Sequence, residues 1–293
     1  MDFFPMIVFK SFVFSILIFS TFSHATTIQV AVFQDHFDAI NSFAKDQACP
    51  SQIPIQYEDN QMVAEYLILC NALAASGQNF RMSLVSVPVA ERALQAIEQR
   101  KAHVTGFGLW QQQISKFDAK ASLRLLDNNE FTKGLFTSQE KSKTLDFFKL
   151  KNRHDYIVAL NKNWQHDWSE LNCSGLTLKH IDQYEQMFKL VELGRVDLVP
   201  LTFNSKHDMQ RTAFGIPLYP IKGIKFTIND SLHFAVNDKT PAGKALSKAL
   251  DIGLQKLNQQ TFISSVYNQL GVTNLEIQHW QDVGCQCTSY TQK

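Results

Sequence analysis

Glycine and proline are scarce in this sequence, 12 and 8 among 293 residues, and only 19% of the chain is charged. So few chain breakers exclude collagen and flexible arrays, while 45% hydrophobic residues with 23 Phe exclude disorder. An excess of positive charge is also missing. The 28 Lys plus Arg stand against 27 Asp plus Glu, and no basic run exceeds the Arg100-Lys101 pair. Phosphates demand a concentrated basic face, so no nucleic-acid partner is expected. The sequence contains no GxSxG, no HExxH, no Walker loop and no kinase or Rossmann signature. Gly106-Phe107-Gly108 lacks the third glycine of a dinucleotide fingerprint and reads as a turn. The neighbouring pairs His166-Asp167 and His207-Asp208 do not face each other if helical. No cofactor and no metal are therefore expected.

Long hydrophobic runs are absent beyond the amino terminus, where none reaches 18 residues. Residues 11–22 read SFVFSILIFSTF, the length of a signal-peptide core, with Lys10 before it and Ser23-His24-Ala25 after it. Residues 1–25 are thus expected to be a cleaved signal peptide, leaving 293 − 25 = 268 residues. Thr26 rather than Cys follows the cut, which points to a free periplasmic protein without a lipid anchor. Export permits disulfides, but the five cysteines, Cys49, Cys70, Cys173, Cys285 and Cys287, are an odd set. A bond between Cys285 and Cys287 would be strained, so one of them is expected to join Cys49 or Cys70. A lone CxC lacks the second ligand pair that zinc requires.

What remains is a grammar of strands and helices. Residues 27–33 form a β-rich first strand, and a loop with Pro50 and Pro54 follows it. Over 60–75 Val63, Tyr66, Leu67, Cys70 and Leu73 share one helical face, stopped by Ser76-Gly77. A strand at 80–86, a helix opened by Pro88 and a strand at 103–107 make one unit. A strand at 155–160 leads into a second unit of strand 176–180, helix 182–193 and strand 196–202. The alternation predicts an α/β protein with parallel sheet, and the separation of the units predicts two lobes. Thr240-Pro241 caps a helix carrying Leu246, Leu250, Leu254 and Leu257, and a last helix covers about 260–270.

The stretch ALAASGQNFRMSLVSVPVAERALQAIEQRKAHVTGFGLW (72–110) resembles the first lobe of bacterial periplasmic solute-binding proteins of the polar-amino-acid ABC transporter type. LVELGRVDLVPLTF (190–203) resembles their second-lobe helix, Gly-x-x-Asp turn and strand, and HFAVNDKTPAGKALSKALDIGLQKL (233–257) resembles the return to lobe one. The resemblance covers most of 27–272 and implies a type II periplasmic-binding-protein-like fold, two α/β lobes joined by two hinge crossovers. Lobe one would take 26–128 and 231–293, lobe two 129–230, with crossovers near 130–136 and 229–234. The implied activity is capture of a small polar solute, amino-acid-like or another small organic acid, by a monomer. The implied partner is a membrane ABC permease or a sensor domain. Some relatives are dehydratases acting on a cyclohexadienyl substrate; that alternative needs a general acid, for which Glu58, Asp59 and Asp167 are available. A lytic transglycosylase would need a further lysozyme-like domain, for which there is no room.

Two departures bear on the solute. The lobe-one Gly-x-x-Asp is replaced by Arg100-Lys101-Ala102-His103, and the carboxylate-clamping Arg that amino-acid receptors carry after this strand is absent until Arg124. In open α/β sheets ligands sit beyond the carboxyl ends of strands. That rule nominates Phe33, Tyr57, Asp59, Phe107 and Trp110 in lobe one, and Trp164, Asp167 and Thr202 in lobe two. Arg92, on the proline-led helix, matches the family's cleft arginine and would suit an anionic group. Asp197 belongs to the Gly-x-x-Asp match and reads equally as a loop-ordering residue.

Overall fold

The structure, a computed structural model, describes residues 25–45 and 49–285. Residues 1–24 of the expected signal peptide and Cys287 lie outside them. Strand β1 (Thr26–Phe33) buries Val30, Ala31 and Val32, as a central strand must when both of its faces are covered. Helix α1 (Phe37–Lys45) stands where the sequence suggested a loop; it buries only Ile40 and Ala44, too sparse a stripe to read. Helix α2 (Gln61–Ala75) is capped by Asn60, whose side chain accepts from the Val63 amide, and Gly77 stops it at φ +78°. Most of its faces are buried, which fits a helix sandwiched between other elements. Strand β2 (Phe80–Val87) and helix α3 (Ala90–Glu98) follow. Pro88 precedes α3 rather than opening it, because Val89 stays extended as the N-cap.

Strands β3 (Val104–Thr105) and β4 (Leu109–Trp110) lead through the short α4 (Gln111–Ile114) to β5 (Lys120–Leu126). Next come β6 (Thr132–Thr137), α5 (Gln139–Thr144), β7 (Ile157–Leu160), α6 (Gln165–Leu171), β8 (Thr177–His180), α7 (Tyr184–Glu192) and β9 (Val199–Thr202). A hairpin of β10 (Arg211–Ala213) and β11 (Ile216–Pro220) precedes β12 (Ile224–Thr227) and β13 (Leu232–Val236). Helices α8 (Pro241–Gln259) and α9 (Phe262–Gln269) and the short β14 (Gln281–Asp282) end the chain. Thr240 caps α8 through its side chain, which accepts from the Gly243 amide, with Pro241 in the first turn.

One sheet runs β2-β1-β3-β13-β4, with β5 also on β13; the other runs β10-β11-β6-β12-β14, with β9 also on β6. Strand β1 pairs in parallel with β2 and β3, and β7 pairs in parallel with β8. The expected parallel sheets are nevertheless mixed. The chain passes into the second lobe before β6 and returns before β13, and both strands run antiparallel to their neighbours.

The tail departs from the expected assignment of 231–293 to lobe one. Strand β13 and helix α8 lie on the first sheet, but β14 pairs with β12 of the second. Ile277 is buried in the second lobe's core, and Trp280 packs edge-on to Phe203 at 5.5 Å. The disulfides also differ from expectation. Cys49 bonds Cys70, and Cys285 bonds Cys173, a residue with no pattern to mark it in sequence. The pairing follows the fold: Cys70 lies in the buried stripe of α2 beneath the loop bearing Cys49. Cys173 ends the α6 region where the tail returns to lobe two.

Candidate functional site

Beyond the carboxyl ends of the lobe-one strands, the GxG stretch is a close backbone crossing. A Cβ on Gly106 would meet the Val32 side chain at 2.9 Å, and one on Gly108 would meet Leu232 at 2.7 Å. The turn puts Phe107 against Phe33, rings stacked with centroids 3.9 Å apart. Glu65, fully buried in α2, holds this loop: the Gly108 amide donates to Oε2 at 2.8 Å, and the Gln61 amide and the Tyr267 hydroxyl donate to Oε1 at 2.8 and 3.1 Å. Burial pushes the Glu65 carboxyl up, and the three donors oppose that shift.

Trp110 caps α4 and lies 5.1 Å from both the Phe131 and the His166 rings. His166, in the first turn of α6, brings Nε2 to 2.9 Å from Asp230 Oδ2. Asp230 also accepts from the Gln112 amide at 3.1 Å and the Ser231 amide at 2.8 Å, so one buried carboxylate in the second crossover ties α4 of lobe one to α6 of lobe two. An acceptor carboxylate at Nε2 makes that nitrogen the donor. Nδ1 is buried, and among the described residues nothing hydrogen-bonds it.

In lobe two, Lys133 on β6 forms an ion pair with the buried Asp167, and its ammonium lies 5.7 Å from the Trp164 ring and 5.9 Å from the Phe131 ring. Trp164 caps α6 and meets Tyr184 edge-on at 5.7 Å. Arg211, on β10, donates Nε to the Thr202 carbonyl at 2.7 Å, and Nη2 to Thr202 Oγ1 at 2.9 Å and the Phe203 carbonyl at 2.7 Å. Its remaining arm crosses to lobe one: Nη1 donates to the Asp59 carbonyl at 3.4 Å and lies 3.9 Å from the Asp59 carboxylate. Lys206 Nζ reaches the same carboxylate at 3.0 Å and Glu58 at 3.5 Å. The hydrogen bond to Asp59, with the negative charge of both acids, pushes the Lys206 ammonium up.

The structure thus brings Asp59 and Thr202 together through Arg211. It joins Trp110, Trp164 and Asp167 through His166 and Lys133, and it stacks Phe33 on Phe107. Tyr57 packs edge-on to Phe43 at 5.7 Å, and Arg92 is exposed on α3, donating to Gln95; neither joins these groups. Asp197 orders the chain at lobe two, accepting from the Ile157 amide at 2.6 Å and from Lys141. The residues that sequence reasoning missed are Lys133, His166, Lys206, Arg211 and Asp230. Arg211 sits in a hairpin with no periodic signal, and His166 pairs not with its neighbour Asp167 but with Asp230, 64 residues away. Among the described residues, no group of three acidic, His or Cys side chains could hold a metal.

No family model matches the sequence, and no curated protein matches it. Solved structures do match. The probable amino-acid ABC transporter extracellular-binding protein ytmK from Bacillus subtilis superposes with a TM-score of 0.55 at 14% identity, over 85% of this chain and 100% of that one. The BvgS periplasmic VFT2 domain of Bordetella pertussis gives 0.54 at 15%, over 83% and 93%. The reconstructed ancestral amino acid-binding protein AncCDT-1, a precursor of cyclohexadienyl dehydratase, gives 0.50 at 12%, over 83% and 95%. Two mixed sheets, two crossovers and a set of side chains facing across the gap agree with these likenesses: the chain has the two-lobed α/β fold of the type II periplasmic binding proteins.

Proposed function

We propose that this chain is a periplasmic solute-binding protein that captures a small polar solute between its lobes and offers the closed form to a membrane partner. The observation that carries the reading is the meeting of side chains from both lobes at the strand ends: Trp110 with His166, and Asp59 with Arg211 and Lys206. Side chains of two lobes joined by two crossovers meet at these contacts, an arrangement that lets a ligand act by stabilising a closed state over an open one. Two disulfides suit an oxidising compartment, in line with export by a cleaved signal peptide. The structural neighbours are named for an ABC transporter and for BvgS, so the partner is a permease or a sensor.

The lining we propose is Phe33, Phe107 and Trp110 from lobe one and Trp164, His166, Thr202 and Arg211 from lobe two. Catalysis on this scaffold is the weaker reading. Of its candidate acids, Asp59 and Asp167 each lie in an ion pair with lysine, and Glu58 lies on the same Lys206.

Thermal unfolding of the mature protein, stripped of solute by partial unfolding and refolding, tests the reading against a panel of amino acids, small acids, amines and short peptides. A ligand at 100 times its Kd stabilises by about 2.7 kcal/mol, hence raises Tm by roughly 5–10 °C. A clear shift with the compound recovered intact is the expected result. Recovery of a converted product would replace the receptor with an enzyme.

A further inference from the structure

Charge is distributed unevenly across the gap. Lys133 is neutralised within its own lobe by Asp167, but both ion-pair partners of Asp59, Lys206 and Arg211, stand on the opposite lobe. Arg211 is fixed beforehand: three hydrogen bonds to Thr202 and Phe203 hold its guanidinium, leaving Nη1 for whatever faces it. Among the described residues, the salt bridges of Asp59 are to Lys206 and Arg211 alone, and the lobe-one Lys116 reaches across elsewhere, to Gln165 at 3.1 Å. Arg124 is well exposed and pairs with Asp127 at 2.6 Å, and Arg92 is exposed and donates to Gln95 at 2.8 Å. An opened molecule therefore presents a preorganised guanidinium with an exposed ammonium on lobe two, both matched in the closed form by carboxylates of the chain itself, Asp59 with Glu58 beside it.

We propose that Asp59 is an internal stand-in for the solute: in the ligand-free chain it seats on Lys206 and Arg211 and draws the lobes together, and a small carboxylate enters by displacing it. This rests on the reading that the gap takes a solute, and it assigns that solute to the anionic class. A planar guanidinium with a free arm beside an ammonium recognises a carboxylate by charge-assisted hydrogen bonds. The competition has a definite sign. Removing the Asp59 charge weakens closure without ligand and strengthens binding of a free anion, whereas a residue that merely contacts a cationic solute would lose binding when neutralised.

The experiment compares the mature chain with Asp59→Asn and with Lys206→Met, both at partly exposed sites, with folding checked by far-UV circular dichroism. Small-angle scattering of the stripped proteins is measured from low to high NaCl, and binding of succinate, benzoate, glutamate and lysine by calorimetry. We expect both variants to have a larger radius of gyration than the native chain at low salt, and the native chain to approach them as salt screens the pair. We expect at least one of the carboxylates to bind Asp59→Asn about fivefold more tightly than native, the fold-change of an exposed ion pair of ~1 kcal/mol, and to bind Lys206→Met more weakly. A radius unchanged by Asp59→Asn overturns the proposal, as does carboxylate binding that Asp59→Asn leaves equal or weaker. Lysine bound by the native chain and lost in Asp59→Asn overturns it while leaving solute capture standing. Failure of every probe with all three proteins overturns it too, and failure of the wider thermal panel on the native chain would then remove the receptor reading as well.

Discussion

Glu65 buries its carboxylate completely while the Gly108 amide, the Gln61 amide and the Tyr267 hydroxyl donate to it. Position 65 falls within the helix expected over 60–75, but nothing in the sequence says that its carboxylate is fully buried with three neutral donors around it. Burial raises its pKa in the folded chain, so its favourable contribution is present below the ordinary value of 4.5 and is lost as pH rises through the raised value. Glu65→Gln keeps an acceptor for the Gly108 amide and removes the buried charge. We expect it to raise Tm at pH 8 by about 2–8 °C, the effect of 1–2 kcal/mol in a chain of this size, and to change it much less at pH 4. Equal shifts at the two pH values, measured by scanning calorimetry, would show that the carboxylate is not strained by burial. The same residue explains why Phe107 and Trp110 were legible as site candidates while their support was not. Position after a strand is written in sequence, but the pin that holds the turn comes from a helix 43 residues earlier.

At the scale of elements, strong periodicity and good caps were decisive. Helix α8 is almost entirely where Thr240-Pro241 and its leucines place it, and β1, β2 and α2 match to within a residue or two. Their signals are local: a cap, a stripe, a stop. Helix α1 and the hairpin of β10 and β11 were not read, because short elements that bury few side chains carry little pattern. A close contact is also invisible in sequence. A Cβ at Gly253 of α8 would stand 1.8 Å from the carbonyl oxygen of Ala72 in α2, so the two helices pack backbone to backbone there. Gly253→Ala, favourable in an isolated helix, is expected to cost about 1–3 kcal/mol by forcing the helices apart. Urea unfolding reads this directly, and an unchanged midpoint would mean that the helices do not approach so closely.

The whole molecule is closed by features that are far apart in the chain. The Cys173–Cys285 bond spans 112 residues and fastens the tail to lobe two, beside the pairing of β14 with β12. Replacing both cysteines by Ala frees that loop in the unfolded chain, and we expect a loss of about 2–4 kcal/mol, seen as a lower Tm relative to the native protein. A double variant as stable as the native chain would show that the tail contributes nothing to lobe two. By itself the sequence determined the class of the fold, the strand and helix grammar of each lobe, and its resemblance to exported binding proteins. The class and the grammar follow from composition, periodicity and caps, which act between near neighbours; the resemblance rests on the stretches 72–110, 190–203 and 233–257 and their order along the chain. Only the tertiary structure decided that the sheets are mixed, that the tail crosses back, that Cys173 takes Cys285, that Asp59 faces Arg211 and that His166 faces Asp230. Such contacts join residues from separate elements, and their energy depends on how two lobes hang on two crossovers, a relation in space that no local pattern of side chains encodes.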